Sequence, residues 1–201
     1  MKAFWFPGTN VGDTLTPIIL EYFTKHKAEW VPTTEPGKLL LCGSILESVL
    51  PGDTVLGAGE YRDVSNDLSE VRVLALRGKL SGKAPHYGDP GILLPFMYKP
   101  KIKKTKAVGY TPHVWNQKNY VEYIDVNLPW KQFVDEVLAC KKIISSSLHG
   151  IVISTAYGIP CEWVHYPKIP GAKTKYQDYL TGIEDGLEKS QEGLLNALKE
   201  L

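Results

Sequence analysis

Short apolar runs alternate with loops rich in glycine, serine or proline along most of this chain. Runs of this length that contain Val, Leu, Ile or aromatic residues predict β-strands. They cover residues 2–6, 38–42, 54–56, 71–76, 107–110, 120–126, 141–144 and 162–165. Several of these runs end directly in a Gly or Ser loop, so the sequence predicts many strands followed by tight turns.

Other stretches have the spacing of a helix with one buried face. In residues 129–140 the apolar positions recur at intervals of three and four, at Trp130, Phe133, Val134, Val137 and Leu138. Further helices are predicted over residues 17–25, with Thr16 as the cap and Pro17 as the first helical residue, and over residues 149–158, 176–183 and 191–201.

The alternation of strands and helices indicates an α/β protein with parallel sheets. A basic, proline-containing run at residues 99–106 is interpreted as a connector. It divides the chain into an N-terminal Rossmann-like half, residues 1–98, and a C-terminal Rossmann-like half, residues 107–201. In such sheets ligands bind at the carboxyl ends of the strands.

Composition and residue spacing argue against several classes of function. A chain of 201 residues with a net charge of +1 lacks the basic character of nucleic-acid-binding proteins. The three cysteines lack metal-binding spacing and are interpreted as reduced and structural. The five histidines also lack metal-binding spacing, so neither a metal nor another cofactor is predicted. No apolar stretch approaches the ~20 residues of a membrane span, so a cytoplasmic protein is expected.

The most informative segment follows the strand at residues 141–144 and combines three serines with a histidine, in the order Ser145, Ser146, Ser147, Leu148, His149, Gly150. A helix that begins there presents unpaired N–H groups, which suit a phosphate or carboxylate. His149 adds a group that titrates near neutral pH. The alternative is that a serine only caps the helix and that His149 packs in the interior.

Three other loops carry candidate chemistry. Asn10, Gly12 and Asp13 follow the first strand, where glycine lets a ligand approach the backbone; Asp13 acting only as a cap is the alternative. Arg77 follows a buried strand and can pair with phosphate or carboxylate, or can form a structural salt bridge. His113 follows another strand and can contact an anion or a sugar hydroxyl, or can be an exposed loop residue.

A Ser–His–Asp hydrolase is disfavoured, because the chain lacks a G-x-S-x-G elbow around Ser147. The chain also lacks the glycine spacing of a dinucleotide fingerprint and a Walker-type lysine.

In order along the chain, these segments resemble the polysaccharide pyruvyl transferase family. The matching pieces are Asn10 to Leu15, Gly43 to Leu46, Gly57 to Gly59, Arg77–Gly78, Gly88 to Pro90, Tyr110 to His113, Ser145 to Gly150 and Ala156 to Pro160.

The resemblance implies two lobes arranged as in GT-B glycosyltransferases, with the site between them. It also implies transfer of pyruvate from phosphoenolpyruvate to a saccharide diol, forming a ketal in cell-surface polysaccharide biosynthesis. By this resemblance His149 would protonate the donor or contact its phosphate. Arg77 would bind the donor, and Asp13 would contact the acceptor hydroxyl. Substrate binding falls to Asn10, Gly12, Gly43, Ser44, His113, Ser145, Ser146, Ser147 and Gly150. A nucleotide-sugar glycosyltransferase and a non-catalytic saccharide-binding protein remain alternatives, and the sugar and the oligomeric state stay open.

Overall fold

The computed structural model describes residues 1–61, 66–169 and 171–201, and in these residues it contains two parallel sheets and six α-helices. The strands are β1 (Lys2–Phe4), β2 (Glu29–Trp30), β3 (Leu39–Leu40), β4 (Thr54–Leu56), β5 (Arg72–Leu76), β6 (His86–Tyr87), β7 (Lys106–Thr111), β8 (Cys140–Ser145) and β9 (Cys161–Trp163). The helices are α1 (Val11–Thr24), α2 (Leu94–Met97), α3 (Trp130–Leu138), α4 (Leu148–Ala156), α5 (Ala172–Ile183) and α6 (Leu187–Leu198).

Both sheets are parallel throughout their described strands. The first has the order β2-β1-β3-β4-β5-β6 and the second the order β7-β8-β9. In the second sheet Thr111 pairs with Ser145, so β7 and β8 end level with each other. The predicted α/β class with two Rossmann-like halves is therefore confirmed.

The first sheet is apolar on both faces, as expected for parallel strands covered by other elements. Side chains alternate along β3 and the residue after it: Leu39 and Leu41 enter one buried cluster, and Leu40 enters another. The larger cluster continues into the second sheet through Phe133 and Val152. One continuous apolar core thus joins residues from both sheets.

The C-terminal helices return to the first sheet. Helix α6 contacts β4, β5 and β6, and α5 contacts the short helical turn Lys79–Ser81. The N–H of Val11 also donates to the carbonyl of Val126 over 2.7 Å, which links α1 to the chain that follows β7. Residues 99–105 carry no regular structure, and the division of the chain at this connector stays a prediction.

The start of α1 differs from the prediction. The helix begins at Val11, six residues before Pro17, and the side chain of Asn10 caps it by accepting from the N–H of Gly12. Thr16, the predicted cap, instead accepts a hydrogen bond from the N–H of Cys42. Burial of the residues in the first turns stabilises the helix despite the missing N–H of Pro17.

The strand predicted over residues 120–126 was wrong. Val121 is fully exposed, and Ile124 and Val126 are buried. The N–H of Ile124 donates to the carbonyl of Tyr110, but no ladder follows. The apolar residues here cover the end of the second sheet without joining it.

Candidate functional site

A cavity of ≈ 200 Å³ lies where strands of both sheets end. Its polar wall comes from loops and helices that follow β1, β3, β7 and β8, together with one turn of α5. The residues that matter most for its chemistry are Asn10, Asp13, Ser44, His113, Ser147, His149 and Lys175, with Phe6, Tyr61 and Trp115 as aromatic neighbours. Seven of the sequence-based candidates thus line one cavity: Asn10, Asp13, Gly43, Ser44, His113, Ser147 and His149.

The start of α1 forms one side of the cavity. Asn10 and Asp13 both line it, and Gly43 lies beside them with a left-handed φ of 109°. Burial raises the pKa of Asp13, while the positive charges of His149 and Lys175 oppose this shift. A carboxylate whose pKa is raised in this way holds a proton more readily than an exposed aspartate.

His149 lies opposite, in the first turn of α4, and is 8% exposed. Its ring packs against the backbone of Gly12: a Cβ added to this glycine would lie 2.0 Å from His149 Nδ1. No side chain larger than hydrogen fits there, so Gly12 serves by leaving room for the imidazole. His149 and Gly12 are thus in contact, and a functional role for His149 stays a prediction.

Asp89 lies on the other side of the same imidazole. Its Oδ2 is 3.7 Å from His149 Nε2, and Oδ1 accepts a hydrogen bond from the N–H of Gly91. In the described part of the chain neither Oδ2 nor Nε2 has a hydrogen-bond partner. From the sequence, Gly88 to Gly91 is most simply a turn, so Asp89 was not among the candidate site residues.

The three serines have different roles. Ser145 Oγ donates to backbone carbonyls of Thr111 and Ser147, and a Cβ on Gly150 would lie 2.5 Å from it. Ser146 Oγ accepts from the N–H of His113 and so holds that loop. Only Ser147 lines the cavity. Ser145, Ser146 and Gly150 therefore shape the site from behind it.

Arg77 is completely buried, and this corrects its predicted contact with a donor. Its guanidinium donates to Asp178 Oδ2 (2.9 Å), Ser44 Oγ (2.7 Å) and the carbonyl of Glu60 (2.6 Å). With these acceptors in place, it belongs to the structural ion pair that the sequence left open as the alternative. It reaches the cavity only through Ser44, which lines it.

Lys175 provides the cavity with a cationic side chain that sequence reasoning missed. It lies in α5, whose amino-acid pattern carries no ligand motif. Burial and the nearby charge of Arg77 lower its pKa to about 8, and Asp13 opposes this shift. Its ammonium lies 5.2 Å from the centre of the Tyr61 ring, within cation–π range.

His113 also lines the cavity, beside the half-exposed ring of Trp115. Burial and the charge of Lys175 lower the pKa of His113 to about 4. His113 is therefore neutral at physiological pH, where it can donate or accept a hydrogen bond but carries no charge.

The sequence model of the polysaccharide pyruvyl transferase family matches residues 67–166, about half of the chain. The chain belongs to this family. An uncharacterized protein of Acanthamoeba polyphaga mimivirus is 33% identical over 123 residues, a match that covers 52% of this chain and 41% of that protein. No solved structure matches the chain.

The segment that matches the polysaccharide pyruvyl transferase model supplies only part of the cavity. It contains His113, Ser147 and His149, together with Asp89 behind them. Asp13 and Lys175 lie outside it, on α1 and α5. In this family member the charged groups of the cavity therefore come from three separate parts of the chain.

The described residues contain no cluster of three or more His, Cys, Asp or Glu side chains placed to hold a metal ion. Across those same ranges, no helix has both the length and the apolar character needed to cross a membrane.

Proposed function

We propose that this protein transfers the pyruvyl group of phosphoenolpyruvate to two hydroxyls of a saccharide, forming a pyruvate ketal during cell-surface polysaccharide synthesis. The observation that carries the proposal is the cavity, which unites an imidazole, a carboxylate and an ammonium group. Membership of the polysaccharide pyruvyl transferase family supports the reaction class.

The reaction requires the methylene carbon of the donor to gain a proton. Its C2 then forms bonds to two acceptor oxygens, and the bond from C2 to the phosphate oxygen breaks. The two hydroxyls release two protons: one balances the proton added to the methylene, and the other leaves on hydrogen phosphate. Catalysis therefore needs a proton donor, a proton acceptor and positive charge near the phosphate.

His149 fits the role of proton donor to the methylene carbon. Its side chain lines the cavity, and the buried carboxylate of Asp89 lies 3.7 Å from its Nε2. Packing of the ring against Gly12 fixes its orientation, so proton transfer starts from a defined geometry.

Asp13 fits the role of acceptor for a hydroxyl proton. It lines the cavity at the start of α1, and burial raises its pKa, which makes the carboxylate a stronger base. Asn10, Ser44 and Ser147 place further hydrogen-bonding groups along the same wall. Phe6 and Trp115, each about half exposed, offer flat apolar surfaces for the face of a sugar ring.

A cytoplasmic location belongs to this proposal. Phosphoenolpyruvate is a cytoplasmic metabolite, and the cysteines Cys42, Cys140 and Cys161 are free thiols, as is usual in a reducing compartment.

The test follows phosphate release from phosphoenolpyruvate in the presence of a panel of nitrophenyl and lipid-linked sugars. We expect release that depends on one class of acceptor, with a product heavier than the acceptor by one pyruvic acid less one water. No acceptor-dependent release, together with no thermal shift by phosphoenolpyruvate, would contradict the proposal. A thermal shift by a nucleotide sugar instead would favour a glycosyltransferase, and a shift by saccharides alone would favour a binding protein.

A further inference from the structure

In the part of the chain that the structure describes, no carboxylate oxygen lies within 4.0 Å of Lys175 Nζ, although the side chain lines a polar cavity and is only partly exposed. Its Nζ lies 5.2 Å from the centre of the Tyr61 ring. Of the described residues that line the cavity, Lys175 is the only lysine or arginine.

Contacts between α5 and the loop that follows β5 hold Lys175 in place. Asp178, one turn further along α5, accepts from Arg77 Nε and from the N–H and hydroxyl of Ser81. A Cβ on Gly182 would lie 1.9 Å from the carbonyl of Arg77, so the helix also packs directly on this loop. Arg77 thus fixes α5, and α5 presents Lys175 to the cavity.

Charges on every neighbouring element bear on Lys175. Arg77, which follows β5, repels the ammonium, Asp13 on α1 attracts it, and His113, after β7, is neutral near pH 7. Because burial and Arg77 act against the charged form, an anion in the cavity would relieve an unfavourable environment. Ser147 at the start of α4 lies in the same wall and can donate a hydrogen bond to such an anion.

We propose that Lys175 binds the phosphate group of a small phosphate-bearing substrate, and that Arg77 acts only as a positioning residue for the helix that carries it. With the function proposed above, on which this assignment of the substrate rests, the phosphate is that of phosphoenolpyruvate. The lysine lies outside residues 67–166, the segment that matches the family model.

The test compares Lys175→Gln with Lys173→Gln, an exposed lysine on the same helix. Calorimetry at pH 7 measures the Kd for phosphoenolpyruvate, for inorganic phosphate and for a uridine diphosphate sugar. We expect Lys175→Gln to weaken binding of phosphoenolpyruvate and of inorganic phosphate by at least about tenfold, since the change removes a hydrogen bond between charged groups. Lys173→Gln should bind as the wild type does, and Lys175→Arg should retain most of the affinity.

The pH dependence of binding gives a second readout, whose main result comes from the wild-type protein. Above pH 8, wild-type affinity should fall about tenfold per pH unit, because free Lys175 has a pKa of about 8 and binding then requires proton uptake. The Lys175→Gln protein should lack this decline.

The outcomes separate this inference from the proposed function. Equal affinity in Lys175→Gln and Lys173→Gln overturns the role of Lys175 and leaves the transferase intact. The wild-type protein could instead bind inorganic phosphate and a uridine diphosphate sugar but not phosphoenolpyruvate. If Lys175→Gln weakens that binding, the result supports the role of Lys175 and contradicts the proposed pyruvyl transferase activity. A wild-type protein that binds none of the three phosphate compounds overturns both.

Discussion

Replacing Gly12 with alanine should displace the imidazole of His149. The added Cβ would lie 2.0 Å from Nδ1 and 2.3 Å from Cε1, whereas ordinary contact begins at 3.4 Å, so the ring must move by about 1.4 Å. Asp89 and the surrounding core enclose the ring on its other side. Because a displacement of about 1 Å at a reacting group costs on the order of 10²-fold in rate, we expect kcat/KM to fall by about that factor.

Stability should change much less than activity in this variant. Alanine favours the helix by about 1 kcal/mol relative to glycine, whereas overpacking costs about 1–3 kcal/mol, so the net loss lies between about 0 and 2 kcal/mol. Urea denaturation measures this loss, and phosphate release measures activity. Gly8→Ala is the matched control, because no atom lies within 4 Å of its added Cβ. Wild-type kcat/KM in Gly12→Ala would refute the catalytic role of His149.

Two further predictions concern stability. Asp178→Asn leaves the buried charge of Arg77 without its partner and should lower the unfolding free energy, measured in urea, by about 3–5 kcal/mol. The control is Glu184→Gln, which removes an exposed pair with Lys79 and should have little effect. Equal losses in the two variants would contradict the structural role of the buried pair. His113 has a pKa of about 4 when folded and 6.5 in an ordinary environment, so the unfolded chain binds more protons between these values and stability falls as pH drops through that window. His113→Asn should reduce this fall in urea midpoints measured from pH 7 to pH 4, and an unchanged slope would show that His113 is not buried as described.

Local sequence patterns predicted the sheet architecture because parallel strands need apolar residues on both faces. The run at residues 38–42 illustrates this, since its consecutive leucines divide between two buried clusters. The start of α1 could not be predicted with the same rules. Asn10 and Thr16 are both acceptable caps, and the choice depended on burial of Val11 and on the hydrogen bond from its N–H to Val126.

Part of the candidate site can be predicted from local sequence patterns. Asn10, Asp13 and His149 all follow predicted strands and lie in loops with glycine or serine, which is typical of ligand sites in parallel sheets. Lys175 has no such signal, because only the tertiary packing of α5 brings it to the cavity. Arg77 follows a predicted strand as the other candidates do, but it does not line the cavity. Its ion pair could not be predicted, because the partner Asp178 lies 101 residues further along the chain.

Residues 145–150 contribute to the site mainly through the groups they pack against. Gly150 lets α4 approach Thr111 and Ser145, and this brings His149 onto Gly12 of α1. The imidazole therefore has the correct position only when α1 and α4 are in contact, and its carboxylate partner Asp89 comes from the end of the first sheet. Since Lys175 depends in turn on Arg77, the acid, the base and the cation all require both sheets to be assembled. The activity that we propose is accordingly a property of the joined core, and neither half carries the complete set of charged groups.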